Sequence, residues 1–297
     1  MSSELPLVSI VIPTYNHAHL LRRALNSVIG QTYGNWEATV IDNHSRDNTE
    51  EVVSEFQDNR IKLVKYSNHG VIAASRNAGV RQSKGEWIAF LDSDDWWTHD
   101  KLQLCLDAAS ADTNMVYHDM EIVGVKSLGI FKRRIKSRQL GRCATIDLLV
   151  HGNPIATSSV VVRKKLLESV GGMNESPAMT AAEDYHTWLL ISRQPGQLKY
   201  LAKGLGYYLV HAQGVSRKDM SGPMRAAMSD FLPLLDKRQR HAAFARIIYA
   251  RARSRFLRGQ YSSIMQHLCY CLRFGDYEIR LKALAMALTV TVKKTRK

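Results

Sequence analysis

Short β-branched runs that alternate with helical patterns, each run ending on a polar tip, constrain this chain most. Residues 8–12 read as a buried strand that stops at Pro13, and residues 18–29 then carry apolar side chains at helical spacing. Residues 38–41, 61–64 and 87–91 repeat the strand signal, with helices expected over 48–56 and 71–80. Antiparallel hairpins do not leave room for a helix between successive strands. The rhythm therefore predicts an α/β class with a mostly parallel central sheet flanked by helices. In such sheets ligands bind at the carboxyl ends of the strands. Those ends are Pro13-Thr14-Tyr15-Asn16, Asp42-Asn43-His44-Ser45, Ser67-Asn68-His69-Gly70 and Asp92-Ser93-Asp94-Asp95.

The second half reads differently. Strands are expected at 115–118, 157–162 and 207–211, with a glycine-broken hairpin over 121–134. Helices are expected from Lys164 to the Gly171-Gly172 pair and over 181–191. Beyond Pro223 the pattern is helical throughout, which places a boundary near residue 220 and separates residues 1–220 from a helical region 221–297.

Charge sharpens that division. The chain of 297 residues has a formal net charge of +14, yet residues 1–202 hold 22 basic and 22 acidic side chains. Residues 203–297 hold 19 basic and 5 acidic ones. A uniformly basic coat for nucleic acid is excluded, and a hydrophobic content of 45% excludes a disordered chain. In the tail, Arg246, Arg251, Arg253, Arg255 and Arg258 interleave with Phe244, Ile247, Ile248, Tyr249, Phe256 and Leu257. This reads as a basic amphipathic helix that packs its apolar side on the body and meets an anionic membrane surface. No nucleic-acid motif accompanies the charge, so no nucleic-acid partner is expected. A second basic run, Lys132, Arg133, Arg134, Lys136, Arg138 and Arg142, reads on charge alone as a solvated loop.

The sequence shows neither a secretory leader nor an apolar run of about 18 residues, and Cys105, Cys143, Cys269 and Cys271 lack metal-ligand spacing. A cytoplasmic chain, peripheral on the inner face of a membrane, is expected.

Two acid motifs carry chemistry. Asp92-Ser93-Asp94 places two carboxylates at a strand end, where they can approach a divalent cation and a nucleotide together. The simpler reading is an acidic start to the next helix. Glu183-Asp184 opens another expected helix and invites the same two readings, general base or helix-start acid. His211 is either a metal or phosphate contact or an ordinary hydrogen-bonded surface histidine. Trp96 and Trp97 divide between core packing and an apolar wall, and Ser158 and Ser159 between a strand interior and a sugar contact.

The blocks VSIVIPTYN, VIDNHSRDNT, GVIAASRNAG and GEWIAFLDSDD, followed by GGMNES and AEDYHTWLL, resemble the successive motifs of family-2 glycosyltransferases of the GT-A fold. The stretch from Val210-His211 through Val215-Ser216 resembles that family's close, so the likeness runs over residues 7–217 in order. The resemblance implies inverting transfer of a sugar from a nucleotide-diphosphate donor, UDP-sugar foremost, to a glycan or lipid-linked acceptor. It implies that Pro13, Thr14, Tyr15, Asn16, Asp42 and Asn43 line the base pocket, with Arg76 and Asn77 near ribose or diphosphate. Asp92, Ser93 and Asp94 would meet ribose and a cation (Mn2+ or Mg2+), with His211 a further metal contact. Asp184 would be the base, with Glu183 beside it, and the basic run at 132–142 would lie where a phosphate-bearing acceptor enters. Many members have two acids where this chain has Asp42-Asn43, which leaves the reading of the base open. A nucleotidyltransferase and a degenerate, non-catalytic sheet binding nucleotide-sugar or membrane are the rival readings. No glycine-rich loop with a following lysine supports the first, and the joint retention of Asp92, Asp94, Asp184 and His211 argues against the second.

Overall fold

The structure is a computed structural model that describes residues 5–124, 134–211 and 219–295. Contacts divide the chain into two compact units, neither a single stretch of sequence. One comprises residues 1–139, 154–176 and 190–212, and the other 140–153, 177–189 and 213–297.

The first unit is built on β1 (Val8–Thr14), α1 (Ala18–Ile29), β2 (Trp36–Asp42), α2 (Thr49–Ser54), β3 (Ile61–Lys65), α3 (Ile72–Gln82) and β4 (Trp87–Phe90). It continues through β5 (Trp96–Trp97), α4 (Lys101–Ala108), β6 (Thr113–Val123) and β7 (Arg134–Ile135). After α5 (Ala144–His151), which belongs to the second unit, come β8 (Val161–Arg163) and α6 (Lys164–Ser169). Then α7 (Glu183–Ile191) leads into β9 (Gln197–Leu209).

Among the described residues the strands form one sheet in the order β3-β2-β1-β4-β8-β6-β9-β5, with β7 on β6. β3, β2, β1 and β4 run parallel, as the alternation requires, and Thr14 and Asp42 end opposite each other. Every residue of β1 and β4 is buried, the signature of strands covered on both faces. Val8, Ile10 and Ile12 pack with Leu21, Leu25 and Val28 of α1, so the apolar stripe of that helix is the lid of the sheet. The chain leaves β1 toward β2 on one side, while β4 lies on the other. Their shared carboxyl edge is the crevice where doubly wound sheets bind ligands.

Two strand expectations need correction. Residues 157–162 are not one strand: Thr157–Ser159 is a 3-10 turn and β8 begins at Val161. The hydroxyl of Ser159 donates to the Ala156 carbonyl, and that of Ser158 to Asp95, local bonds that compete with a strand ladder. The strand expected at 207–211 is the tail of the 13-residue β9. Lys199, Lys203, Gly204 and Gly206 hide its first part, where the register against β6 shifts near Asp119. Of the expected hairpin over 121–134, Glu121 and Arg134 pair across β6 and β7, and residues 125–133 lie outside the described residues.

Trp97 takes the core role open to either tryptophan, donating Nε1–H to the Ser158 carbonyl at 2.7 Å. Over its ring, at 3.8 Å, sits the ammonium of Lys101, fully buried and with no hydrogen-bond partner among the described residues. Burial lowers the Lys101 pKa to about 8. Between pH 8 and the unfolded value of about 10.4 the unfolded chain holds the extra proton, so folding stability rises with pH through that window. Lys101→Met is therefore expected to stabilise the protein at pH 7 by up to about 3 kcal/mol, with a gap that closes toward pH 10 in denaturant titrations. A variant less stable than wild type at pH 7 would show that the ammonium contributes favourably.

The second unit gathers α5 and the start of α7 with α8 (Ser221–Met228), α9 (Lys237–Leu257), α10 (Ile264–Phe274) and α11 (Tyr277–Thr295). Ala245, Ala252, Ile264, Leu268, Cys271, Ile279, Ala283 and Met286 form its core. Asp236 and Gln239 close a capping box at the start of α9. Of the arginines expected on a basic face of α9, Arg251, Arg253 and Arg258 are exposed and Arg246 is not. Arg246 turns inward, donating Nε–H to the Val150 carbonyl and pairing with Asp276 and Glu278. Arg251 and Arg255 donate to the hydroxyls of Ser221 and Ser263. The helix contacts α5, α8, α10 and α11.

Candidate active site

The carboxyl edge of β1 to β4 is shaped by three backbone reversals. Asn16, His44 and His69 follow β1, β2 and β3, and all adopt positive φ, between 50° and 55°. Non-glycine residues in this region cost free energy and mark strained, function-bearing loops. Side-chain bonds hold these reversals. Asn16 donates its N–H to the Ser45 hydroxyl and accepts from Arg46 N–H, both at 2.8 Å. The buried Asp42 accepts from the backbone and hydroxyl of Ser45. Asn43 accepts from Asn68 N–H at 2.9 Å. A side-chain oxygen is all that bond requires, so an amide serves where many family members carry an acid. Pro13 and Thr14 end β1 buried, and the Thr14 hydroxyl has no hydrogen-bond partner among the described residues. Tyr15 is half-exposed beside them.

The fourth tip is acidic, and each carboxylate has its own environment. Asp92 pairs with the buried Arg76 guanidinium at 2.6 Å, so α3 brings a fixed cation to the end of β4. Asp94 Oδ2 lies 2.9 Å from His211 Nε2, both groups part-exposed. Asp95 is fully buried, accepting from the Ser158 hydroxyl at 2.7 Å and from Leu209 N–H at 3.2 Å. Burial first, then the neighbouring Asp94 and Asp92, pushes its carboxyl well above the usual range. Asp95 thus ties the acidic loop to β9, while Asp92 and Asp94 face the edge. The Ser158 hydroxyl is spent here, since it also accepts from Asp92 N–H.

Two residues absent from the sequence reading complete the edge. His17 Nδ1 lies 3.0 Å from the Ser93 hydroxyl, and its ring meets that of His211 edge-on at 5.8 Å. Burial lowers its pKa despite the nearby Asp94 carboxylate, which favours the neutral ring. Arg23 donates to the Asp94 carbonyl and lies over Trp96, itself stacked on Tyr207. The available signal was the phase of α1: His17 stands where the first strand tip enters that helix, and Arg23 follows less than two turns later. Asn77, expected near the donor, secures the Gly171-Gly172 turn. It donates to the Met173 carbonyl and accepts from Met173 N–H.

Glu183 and Asp184 are carried by the second unit, in the first turn of α7. Ala181 precedes them at φ 71°, a left-handed conformation costly for a side chain bearing Cβ. Asp184 is half-buried and its Oδ1 accepts from Tyr185 N–H at 2.6 Å. Glu183 is buried, and its carbonyl accepts from the Thr187 hydroxyl.

Among the described residues no three His, Cys, Asp or Glu side chains form a group that could enclose a metal by themselves. The donor set still fits a hard divalent cation. Asp94 and His211 direct an oxygen and a nitrogen at one another from opposite sides, with a second carboxylate on the same loop. Cations of this kind are commonly held by one or two carboxylates, with substrate phosphate completing the shell.

A family model for glycosyl transferase family 2 matches residues 9–168. The chain is 34% identical over 186 residues to UDP-Glc:alpha-D-GlcNAc-diphosphoundecaprenol beta-1,3-glucosyltransferase WfgD of Escherichia coli, covering 62% of this chain and 69% of that protein. Its fold is similar to S. aureus TarS 1-349 in complex with UDP-GlcNAc, with a TM-score of 0.63, 19% identity, and coverage of 96% and 89% of the two chains. It is also similar to mannosyltransferase PcManGT from Pyrobaculum calidifontis in complex with GDP-Man and Mn2+, with a TM-score of 0.62, 18% identity, and coverage of 97% and 81%. Strand order, the motif succession and these matches agree that the chain belongs to glycosyl transferase family 2, with the GT-A fold.

Proposed function

We propose that this chain transfers a sugar, with inversion, from a nucleotide-diphosphate donor to a hydroxyl of a glycan or lipid-linked acceptor. The observation that carries the reading is the set of charged side chains at the crevice between β1 and β4: Arg76 on Asp92, and His211 against Asp94. The part-exposed Tyr15, next to the paired strand ends Thr14 and Asp42, offers a face to a base. Arg76 supplies positive charge for a diphosphate while holding Asp92 in place. Asp94 and His211 would hold the divalent cation, with Asp92 beside them. When bound, the cation supplies neutralising charge for the leaving diphosphate.

Inversion needs one base on the acceptor side and no covalent nucleophile. Asp184 would take the acceptor hydroxyl proton as that oxygen bonds to the anomeric carbon and the bond to the donor diphosphate breaks. Its Oδ1 accepts from Tyr185 N–H, which fixes the carboxylate at the start of α7. Residues 1–220 are proposed as the transferase region, with 221–297 as its basic helical companion. A UDP-sugar and a lipid-diphosphate acceptor are the preferred substrates, supported by what WfgD is named for and by the UDP-GlcNAc bound in TarS. Work on a polysaccharide at the cytoplasmic face of a membrane follows from that acceptor class. The reading is tested by incubating the full chain with individual UDP-sugars and a lipid-diphosphate-linked GlcNAc. We expect UDP release with one donor and a product of inverted anomeric configuration by NMR. Retained configuration, or no transfer from any nucleotide-sugar, would contradict it.

A further inference from the structure

Arg246 of α9 is turned to internal partners, and the exposed apolar surface of the second unit lies on another helix. The terminal helix α11 has two apolar faces. Ile279, Ala283, Met286 and Val290 are buried on one. Tyr277, Leu281, Leu284 and Leu288 are 78%, 49%, 47% and 61% exposed on the other. At about 100° per residue, the second set falls within an arc of roughly 60° and opposite the first. Four large apolar side chains aligned for about 16 Å along an exposed helix are not scattered surface residues.

We propose that this outer face of α11 docks on an anionic lipid bilayer, lying in the plane of the interface. Charge selects this occupant over a second copy of the chain. Residues 221–297 contain 16 basic and 4 acidic side chains, so two such surfaces repel each other and an anionic surface attracts both. Two of the four acids, Asp276 and Glu278, are already paired with Arg246, and Glu278 also with Lys282. Arg280 is exposed about one turn before Leu284, and the sequence beyond the stripe continues with Lys293, Lys294, Arg296 and Lys297. A narrow apolar stripe with basic flanks is the pattern of a helix seated in the headgroup region. Among the described residues no helix is long and apolar enough to cross a membrane, so the stripe lies on the bilayer rather than through it. The inference deepens the lipid-linked acceptor reading but is tested without donor or acceptor, so either can fail alone.

The full chain is mixed with vesicles of phosphatidylcholine alone or with 30% phosphatidylglycerol, at low and high salt, about 50 and 500 mM, to vary screening. Binding is expected to the anionic vesicles only, to weaken at high salt, and to fall at least about tenfold in Leu281→Glu/Leu288→Glu, given the cost of placing charge in an apolar contact. Helix content by circular dichroism should be unchanged in that variant. Tyr277→Trp, which keeps the face apolar, should show a blue shift of Trp emission on adding anionic vesicles. Should the glutamate variant misfold, this emission shift and Leu281→Gln/Leu288→Gln decide the matter. Absence of vesicle binding, binding unaffected by a folded stripe variant, or a solution dimer that the stripe variant dissociates would overturn the proposal.

Discussion

Asp184→Asn is expected to lower kcat about a thousandfold while leaving the affinity for UDP within about twofold, because general-base catalysis contributes roughly 10² to 10⁴ and the proposed base would touch the acceptor, not the donor. The substitution keeps Oδ1, which accepts from Tyr185 N–H, so the first turn of α7 retains its bond. The acid limb of the pH–rate profile should disappear with the base that produces it. A kcat within tenfold of wild type would move the base to another residue. Glu183 is a different case, because its side chain is buried, and Glu183→Gln should register in stability as much as in rate.

Asp94→Asn is expected to remove the dependence of transfer on Mn2+ and to cost about a hundredfold or more in kcat/KM. Loss of one charged ligand from a hard-cation site forfeits several kcal/mol of charge stabilisation, at about 1.4 kcal/mol per tenfold in rate. The variant preserves size and leaves the Arg23 bond to the residue 94 carbonyl in place, so the loop should keep its path. Transfer measured against Mn2+ concentration separates the outcomes. An unchanged Mn2+ response would assign the cation to other ligands.

Much of the β1–β4 edge is legible in the sequence because its signals are local. A β-branched run that ends in Pro13-Thr14-Tyr15-Asn16 declares both a buried parallel strand and where its tip lies. Asp92 and Asp94 follow from the next such tip. His17, Arg23 and Asp95 were less legible because their roles come from packing between segments far apart in sequence. Arg23 reaches residue 94, and Asp95 reaches residues 158 and 209. The same limit explains Asn77: nothing local announces that its amide will be drawn to a glycine turn about a hundred residues later. The tail shows the opposite error. Interleaved arginines look amphipathic in sequence, yet Arg246 is an internal ion-pair partner, and the exposed apolar face belongs to α11, whose two opposed faces cancel in any single-face periodicity.

The central claim is that the β1–β4 edge binds a nucleoside diphosphate together with a divalent cation. Isothermal titration of UDP into the full chain, in the presence of Mn2+ and again in EDTA, tests it most directly. A single site is expected, with an affinity that falls at least about tenfold without the metal, since a cation held at Asp94 would neutralise diphosphate charge. Equal binding in both conditions, or no binding of UDP or any other nucleoside diphosphate in either, would contradict it.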